Sequence, residues 1–209
     1  MTLEARRMAE ARVGRAGMLA IGAVVTILAV TGGAFVIAGA NPLEAYYAYF
    51  VAPLTREFTL LEVLNKATPI LFTGTAVAIA FRAGYWNIGV EGQLLMGAVA
   101  AAGIGQLVHG WSALIVLPLM IGAGALAGAA WALVPALLRV RLGIDEVVTT
   151  LLLNPVALLV VQGLLHGPWK DPETGFPESP RIAEAAEFPQ LSEFIPLIGR
   201  SRLHLGFVI

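Results

Sequence analysis

The sequence holds no cysteine. That excludes a disulfide, a thiolate nucleophile and a thiolate metal site, and it leaves the redox compartment unread. Charge is scarce too: only 13% of the 209 residues are Asp, Glu, Lys or Arg, against roughly a quarter in soluble domains. A net charge of −1 gives no basic footprint for nucleic acid. Enzyme signatures are also missing, with no H-E-x-x-H, no G-x-S-x-G and no Walker-type G-x-x-x-x-G-K-[ST]. The three histidines, His109, His166 and His204, fall at the ends of apolar runs without the spacing of metal ligands. They suit interfacial positions, and no catalytic or metal-binding residue is assigned.

What the chain has is apolar length. Hydrophobic residues make up 58% of it, with a mean hydropathy of +0.81. No charge occurs between Arg15 and Glu44, Lys66 and Arg82, Glu91 and Arg139, or Glu146 and Lys170. Crossing the hydrocarbon core takes about 20 apolar residues, so these runs read as membrane spans. The expected fold is all-α, a polytopic transmembrane helical bundle.

Five complete spans follow, at about 17–39, 60–82, 92–108, 112–138 and 146–166. The run from Gly92 to Leu138 is 47 residues long, too long for one crossing, and "HGWS" (His109 to Ser112) marks its break. Ala38-Gly39-Ala40 imitates a signal-peptidase site, but the run from Ala16 to Ala40 exceeds the roughly 7–15 residues of a signal h-region. It reads as an uncleaved first span. Residues 167–202 carry six prolines and six acids and read as an aqueous loop. At "LHLGFVI", residues 203–209, the apolar pattern restarts, as the start of a further span in an N-terminal fragment.

Arginine sets the orientation. Arg6, Arg7, Arg12 and Arg15 precede the first span, which places residues 1–16 in the cytoplasm by the positive-inside tendency. Alternation then puts Arg82, Arg139 and Arg141 inside as well, and the Pro-rich loop 167–202 outside.

Polar residues inside this apolar chain mark candidate sites. In "GYWNIGVEGQLLMG", residues 84–97, Asn87, Glu91 and Gln93 stand beside Gly84, Gly89 and Gly92. Asn87 and Glu91 are four residues apart and would share a face on a helix. Broken backbone at membrane depth is tolerated only where it is buried in protein or lines a water-filled path, so the stretch fits a discontinuous element at a substrate pathway. It equally fits a cytoplasmic turn, with Asn87 capping a helix and Glu91 in its first turn. Glu91 is expected to be satisfied by Arg82 or by helix N-terminal amides. Farther on, Asp145 and Glu146 read as an ordinary helix start, and Asn154 precedes Pro155 within a span. Proline removes a backbone donor, and Asn154 is placed to bond the carbonyl so freed. Asn154 and Gln162 suit either a pathway or helix–helix hydrogen bonding. Gly124 and Gly128 form a G-x-x-x-G that reads as helix packing.

Two long stretches carry a resemblance. "KATPILFTGTAVAIAFRAGYWNIGVEGQLLMGA" and "GIDEVVTTLLLNPVALLVVQGLLHGPWKDPETGFPESP" closely resemble permease subunits of ABC importers of the branched-chain amino acid, simple-sugar and nucleoside group. N-I-G-x-E-G-Q with the later G-P-x-K-D-P is most similar to bacterial nucleoside or simple-sugar permeases. The resemblance implies a translocation path and no covalent chemistry. It also implies a second permease subunit, identical or paralogous, a cytoplasmic ABC ATPase that binds the ATP, and an extracytoplasmic substrate-binding lipoprotein. The implied location is the bacterial inner membrane, among lipid, with the N-terminus cytoplasmic and no cofactor on this chain. Family permeases carry more than five spans, so residues that dock the ATPase are expected beyond residue 209. Two alternatives from other classes are an ion-coupled secondary transporter fragment, with Glu91 as the coupling group, and a non-transporting membrane scaffold.

Overall fold

The structure, a computed structural model, describes residues 3–195 and 202–207, with side chains from residue 15 onward. Residues 1–2, 196–201 and 208–209 lie outside the described residues, and with them the ends of the expected cytoplasmic segment, outer loop and further span. Regular structure among the described residues is helical throughout. Two compact units, Met1–Leu60 and Leu61–Ile209, divide the chain.

The first unit is built on helix α1, Leu3–Ile37. After a turn at Gly39, Asn41 caps the short helix α2, Pro42–Tyr46, accepting from Leu43 N–H at 3.0 Å. A π-helical turn, Tyr47–Val51, and helix α3, Ala52–Thr55, follow. Tyr46 ties this connection back to α1, its hydroxyl meeting Thr31 Oγ1 at 2.7 Å and the Leu28 carbonyl.

The second unit takes up most of α4, Glu57–Arg82, and holds α5, Val90–Leu107, α6, Ala113–Leu142, and α7, Glu146–His166. Helix α5 runs antiparallel to α6 and parallel to α7. Small residues let α5 and α6 meet backbone to backbone: a Cβ on Gly97 would lie 3.0 Å from Gly124 O, and one on Gly128 would lie 3.2 Å from Gln93 O. Gly124 and Gly128 therefore sit where α6 faces α5. The α6–α7 turn is closed by local chemistry. Gly143, at φ +66°, ends α6 in the left-handed conformation that glycine adopts without penalty. Asp145 then caps α7, accepting from Val147 and Val148 N–H at 2.8 and 3.2 Å.

Among the described residues, four helical stretches are long and apolar enough to cross a membrane: Arg15–Ile37, Glu57–Arg82, Ala113–Leu142 and Glu146–His166. Each buries only 6–11% of its most apolar stretch within the chain, so their apolar faces are left for lipid and for neighbouring helices. This is a multi-pass membrane protein. The span expected at 92–108 corresponds to α5, which is not among the four. It is 18 residues long, about 27 Å at 1.5 Å per residue, and Glu91, Gln93 and Gln106 dilute its apolarity.

Beyond α7 the 167–195 segment folds back on the far end of this bundle. Val108, Val116, Ala183 and Ala186 form a small core there, flanked by Ile104, Met120 and Ile182. Residues 202–207, within the stretch read as the start of a further span, hold an isolated bridge from His204 to Gln190 and a 3₁₀ turn at Leu205–Phe207.

Candidate functional site

Helix α4 ends at Arg82 and α5 begins at Val90. The seven residues between them form no helix, although they connect two apolar helices. Their backbone polar groups therefore need partners from elsewhere, and α7 supplies them. Thr150 Oγ1 accepts from Ile88 N–H at 3.2 Å, while Asn154 Nδ2 donates to the Ile88 carbonyl at 3.1 Å. Asn154 Oδ1 also accepts from Gly92 N–H at 2.9 Å. That amide lies in the first turn of α5, where no intrahelical acceptor exists. The α5 N-cap, Gly89, has no side chain to offer, so the cap comes from another helix.

The approach is close enough to require glycine. A Cβ on Gly89 would stand 2.6 Å from Thr150 O and 2.8 Å from Thr150 Cβ. One on Gly92 would stand 3.0 Å from Trp131 Nε1 and 3.1 Å from Asn154 Oδ1.

Asn87 is the buried polar residue of the segment, 8% exposed. Its Oδ1 accepts from Gly89 N–H at 3.0 Å, and its amide pairs reciprocally with that of Gln93, both contacts at 3.1 Å. The Gly89 bond fixes which end of the Asn87 amide is oxygen, and the pairing passes that choice on to Gln93.

Several sequence expectations are corrected. Asn87 and Glu91 do not share a helical face, because Asn87 precedes the helix; its partner is Gln93. Glu91 lies exposed in the first turn of α5 and, among the described residues, makes neither an ion pair nor a side-chain hydrogen bond with Arg82 or with helix amides. Asn154 does not bond the carbonyl freed by Pro155, because its amide is spent on Ile88 and Gly92. Gln162 is exposed on α7, with His166 Nδ1 2.9 Å from its carbonyl, away from this cluster.

The sequence reading missed a carboxylate. Glu146, 6% exposed, pairs with Arg139 Nε at 3.1 Å across the α6–α7 turn. Tyr85 stands near this charge. Burial, and then the Glu146 carboxylate, push its hydroxyl pKa above the ordinary phenol value.

Gln93 belongs to a second feature, a groove of about 800 Å³. Thr68, Phe72 and Thr73 of α4 form one wall, and Gln93, Gly97 and Ala101 of α5 with Gly124 and Gly128 of α6 form the other. Phe188 and His204, stacked at 5.6 Å, border it. The threonine hydroxyls are committed to their own helix, Thr68 to Leu64 O at 3.0 Å and Thr73 to Pro69 O at 2.8 Å. Asn87, Glu91, Asn154 and Gln162 do not line it. The volume falls within the roughly 300–1,000 Å³ of small-molecule sites.

Comparison with known proteins agrees with this architecture. Residues 59–199 match the family described as branched-chain amino acid transport system, permease component. The chain is 42% identical over 173 residues to the glucose ABC transporter permease protein of Haloferax volcanii, covering 83% of this chain and 45% of that one. It is 33% identical over 200 residues to the guanosine ABC transporter permease protein of Bacillus subtilis, covering 94% and 56%. A nucleoside ABC transporter permease protein of Lactococcus lactis is 30% identical over 128 residues, covering 61% and 35%. The chain thus spans about half the length of the first two relatives. No solved structure matches it.

Proposed function

We propose that this chain, which belongs to the family of branched-chain amino acid transport system permease components, forms part of the translocation path of an ATP-driven importer of a nucleoside or simple sugar. The observation that carries the reading is the groove with Gln93 in its wall, the one amide of the 84–93 segment that reaches that space. Family membership supports the direction and energy source, and the relatives named for glucose, guanosine and nucleosides support the substrate class. In this reading ATP is bound by a separate ABC ATPase, and the permease carries no cofactor of its own. A second permease subunit, identical or paralogous, completes the path, and an extracytoplasmic binding lipoprotein delivers the cargo. The complex resides in the cytoplasmic membrane with the chain's N-terminus inside.

Uptake of radiolabelled guanosine and glucose by cells expressing the importer tests this. Uptake should persist when an ionophore collapses the proton gradient with ATP held constant, and should stop when ATP is depleted. Loss of uptake on collapse of the gradient alone would overturn the ATP-driven reading in favour of ion coupling.

A further inference from the structure

Two α7 side chains one helical turn apart, Thr150 and Asn154, grip the backbone that leads into Gln93, yet neither lines the groove. Ile88 gives both of its backbone polar groups to them. Thr150 is 1% exposed, and its hydroxyl is used in both roles, donating to Glu146 O at 2.6 Å while accepting from Ile88 N–H. Its position is in turn held by the first turn of α7, where Glu146 is paired with Arg139. The chain of restraint runs in one direction. Helix α7 fixes residues 88–92, the Gly89 amide fixes the Asn87 amide, and Asn87 fixes the Gln93 amide at the groove.

We propose that Thr150 and Asn154 are positioning residues: they dock the 88–92 backbone on α7 and so set where Gln93 stands in the groove. Their importance for uptake rests on the translocation reading above; the docking itself does not. A movement of α7 would carry the 88–92 backbone with it, because Gly89 and Gly92 leave no side-chain layer between the two. Asn154 acts here through backbone amides and is not a group that meets the cargo.

The absence of native cysteine permits a direct test in the assembled importer. A single cysteine at Val90→Cys, in the docked segment, reports its exposure through the rate of maleimide labelling. A second, at Ser112→Cys in the turn before α6, reports general loosening. Loss of one hydrogen bond should speed labelling at Val90→Cys about fivefold in Thr150→Val, and loss of two about tenfold or more in Asn154→Leu. Thr150→Ser, which keeps the hydroxyl, should stay within about twofold of the parent. Labelling at Ser112→Cys should not change in any of them. In chains without the reporter cysteines, maximal uptake per assembled complex should fall in Thr150→Val and Asn154→Leu and recover in Thr150→Ser. Unchanged labelling at Val90→Cys in Asn154→Leu, or an equal rise at Ser112→Cys, would overturn the docking role. Faster labelling with intact uptake would overturn its link to transport. If the parent imports neither guanosine nor glucose, the transport reading falls, and the labelling ratio still decides whether α7 docks the segment.

Discussion

Two glycine-to-alanine substitutions, identical in chemistry, should act in opposite directions. Gly89 lies against α7 with φ −97°, a backbone any residue adopts, so the cost of a methyl group there is steric. The added Cβ would sit 2.6 Å from Thr150 O and 2.8 Å from Thr150 Cβ, and both are held by the α7 helix. Relieving an overlap of this kind costs about 1–3 kcal/mol. If the segment backs away, the Ile88–Thr150 bond is lost as well, for about 1 kcal/mol more. Gly89→Ala should therefore destabilise by about 2–4 kcal/mol in total. Gly163, in the last turn of α7, has nothing within 4 Å of an added Cβ. Alanine there gains up to about 1 kcal/mol of helix propensity. Thermal unfolding of the detergent-solubilised protein should separate the two, Gly89→Ala melting roughly 5–15 °C lower and Gly163→Ala a few degrees higher, at about 2–4 °C per kcal/mol. Equal melting of the two variants would refute the close approach of residues 88–92 to α7.

Three further outcomes are expected. Glu91→Gln should change stability by less than about 1 kcal/mol, since only a helix-start charge is lost; a larger drop in melting temperature would mean that Glu91 has a buried partner. The Arg139–Glu146 pair, buried at the carboxylate and half-exposed at the guanidinium, should show a coupling of about 1 kcal/mol in a double-mutant cycle of Arg139→Gln and Glu146→Gln. A coupling of zero would remove the pair as a support of the α6–α7 turn. Finally, an impermeant maleimide on intact cells should label Ser179→Cys and spare Thr2→Cys, and the reverse pattern would invert the proposed orientation.

The helices were legible because charge-free length is a one-dimensional signal. The boundaries of α4 and α7 fall within a few residues of the runs that announced them. The 84–93 segment was legible as an anomaly, since an amide, a carboxylate and a second amide so close together are rare in apolar sequence. Its wiring was not. The four-residue face rule holds only inside a helix, and Asn87 stands outside one, so its partner lies six residues on. The contacts from Thr150 and Asn154 cross 62 or more residues, a separation at which periodicity carries no information. One missed feature did leave a trace. Arg139 and Glu146 flank Gly143 in a helix–turn–helix pattern, the spacing at which opposite charges at two helix ends can meet. The groove left none, because Thr68, Phe72 and Gln93 come together only through packing.

The cap that α7 gives to α5 also orders events during synthesis. The Gly92 amide waits for an acceptor 62 residues farther along the chain. At about 5–20 residues per second that interval is roughly 3–12 s. Throughout it, the first turn of the helix holding Glu91 and Gln93 lacks the side-chain cap it has in the finished fold. Helix α5 should therefore reach its final seat only after α7 has left the ribosome. The docking of residues 88–92 on α7 is thus a late step, taken once α5, α6 and α7 are all present.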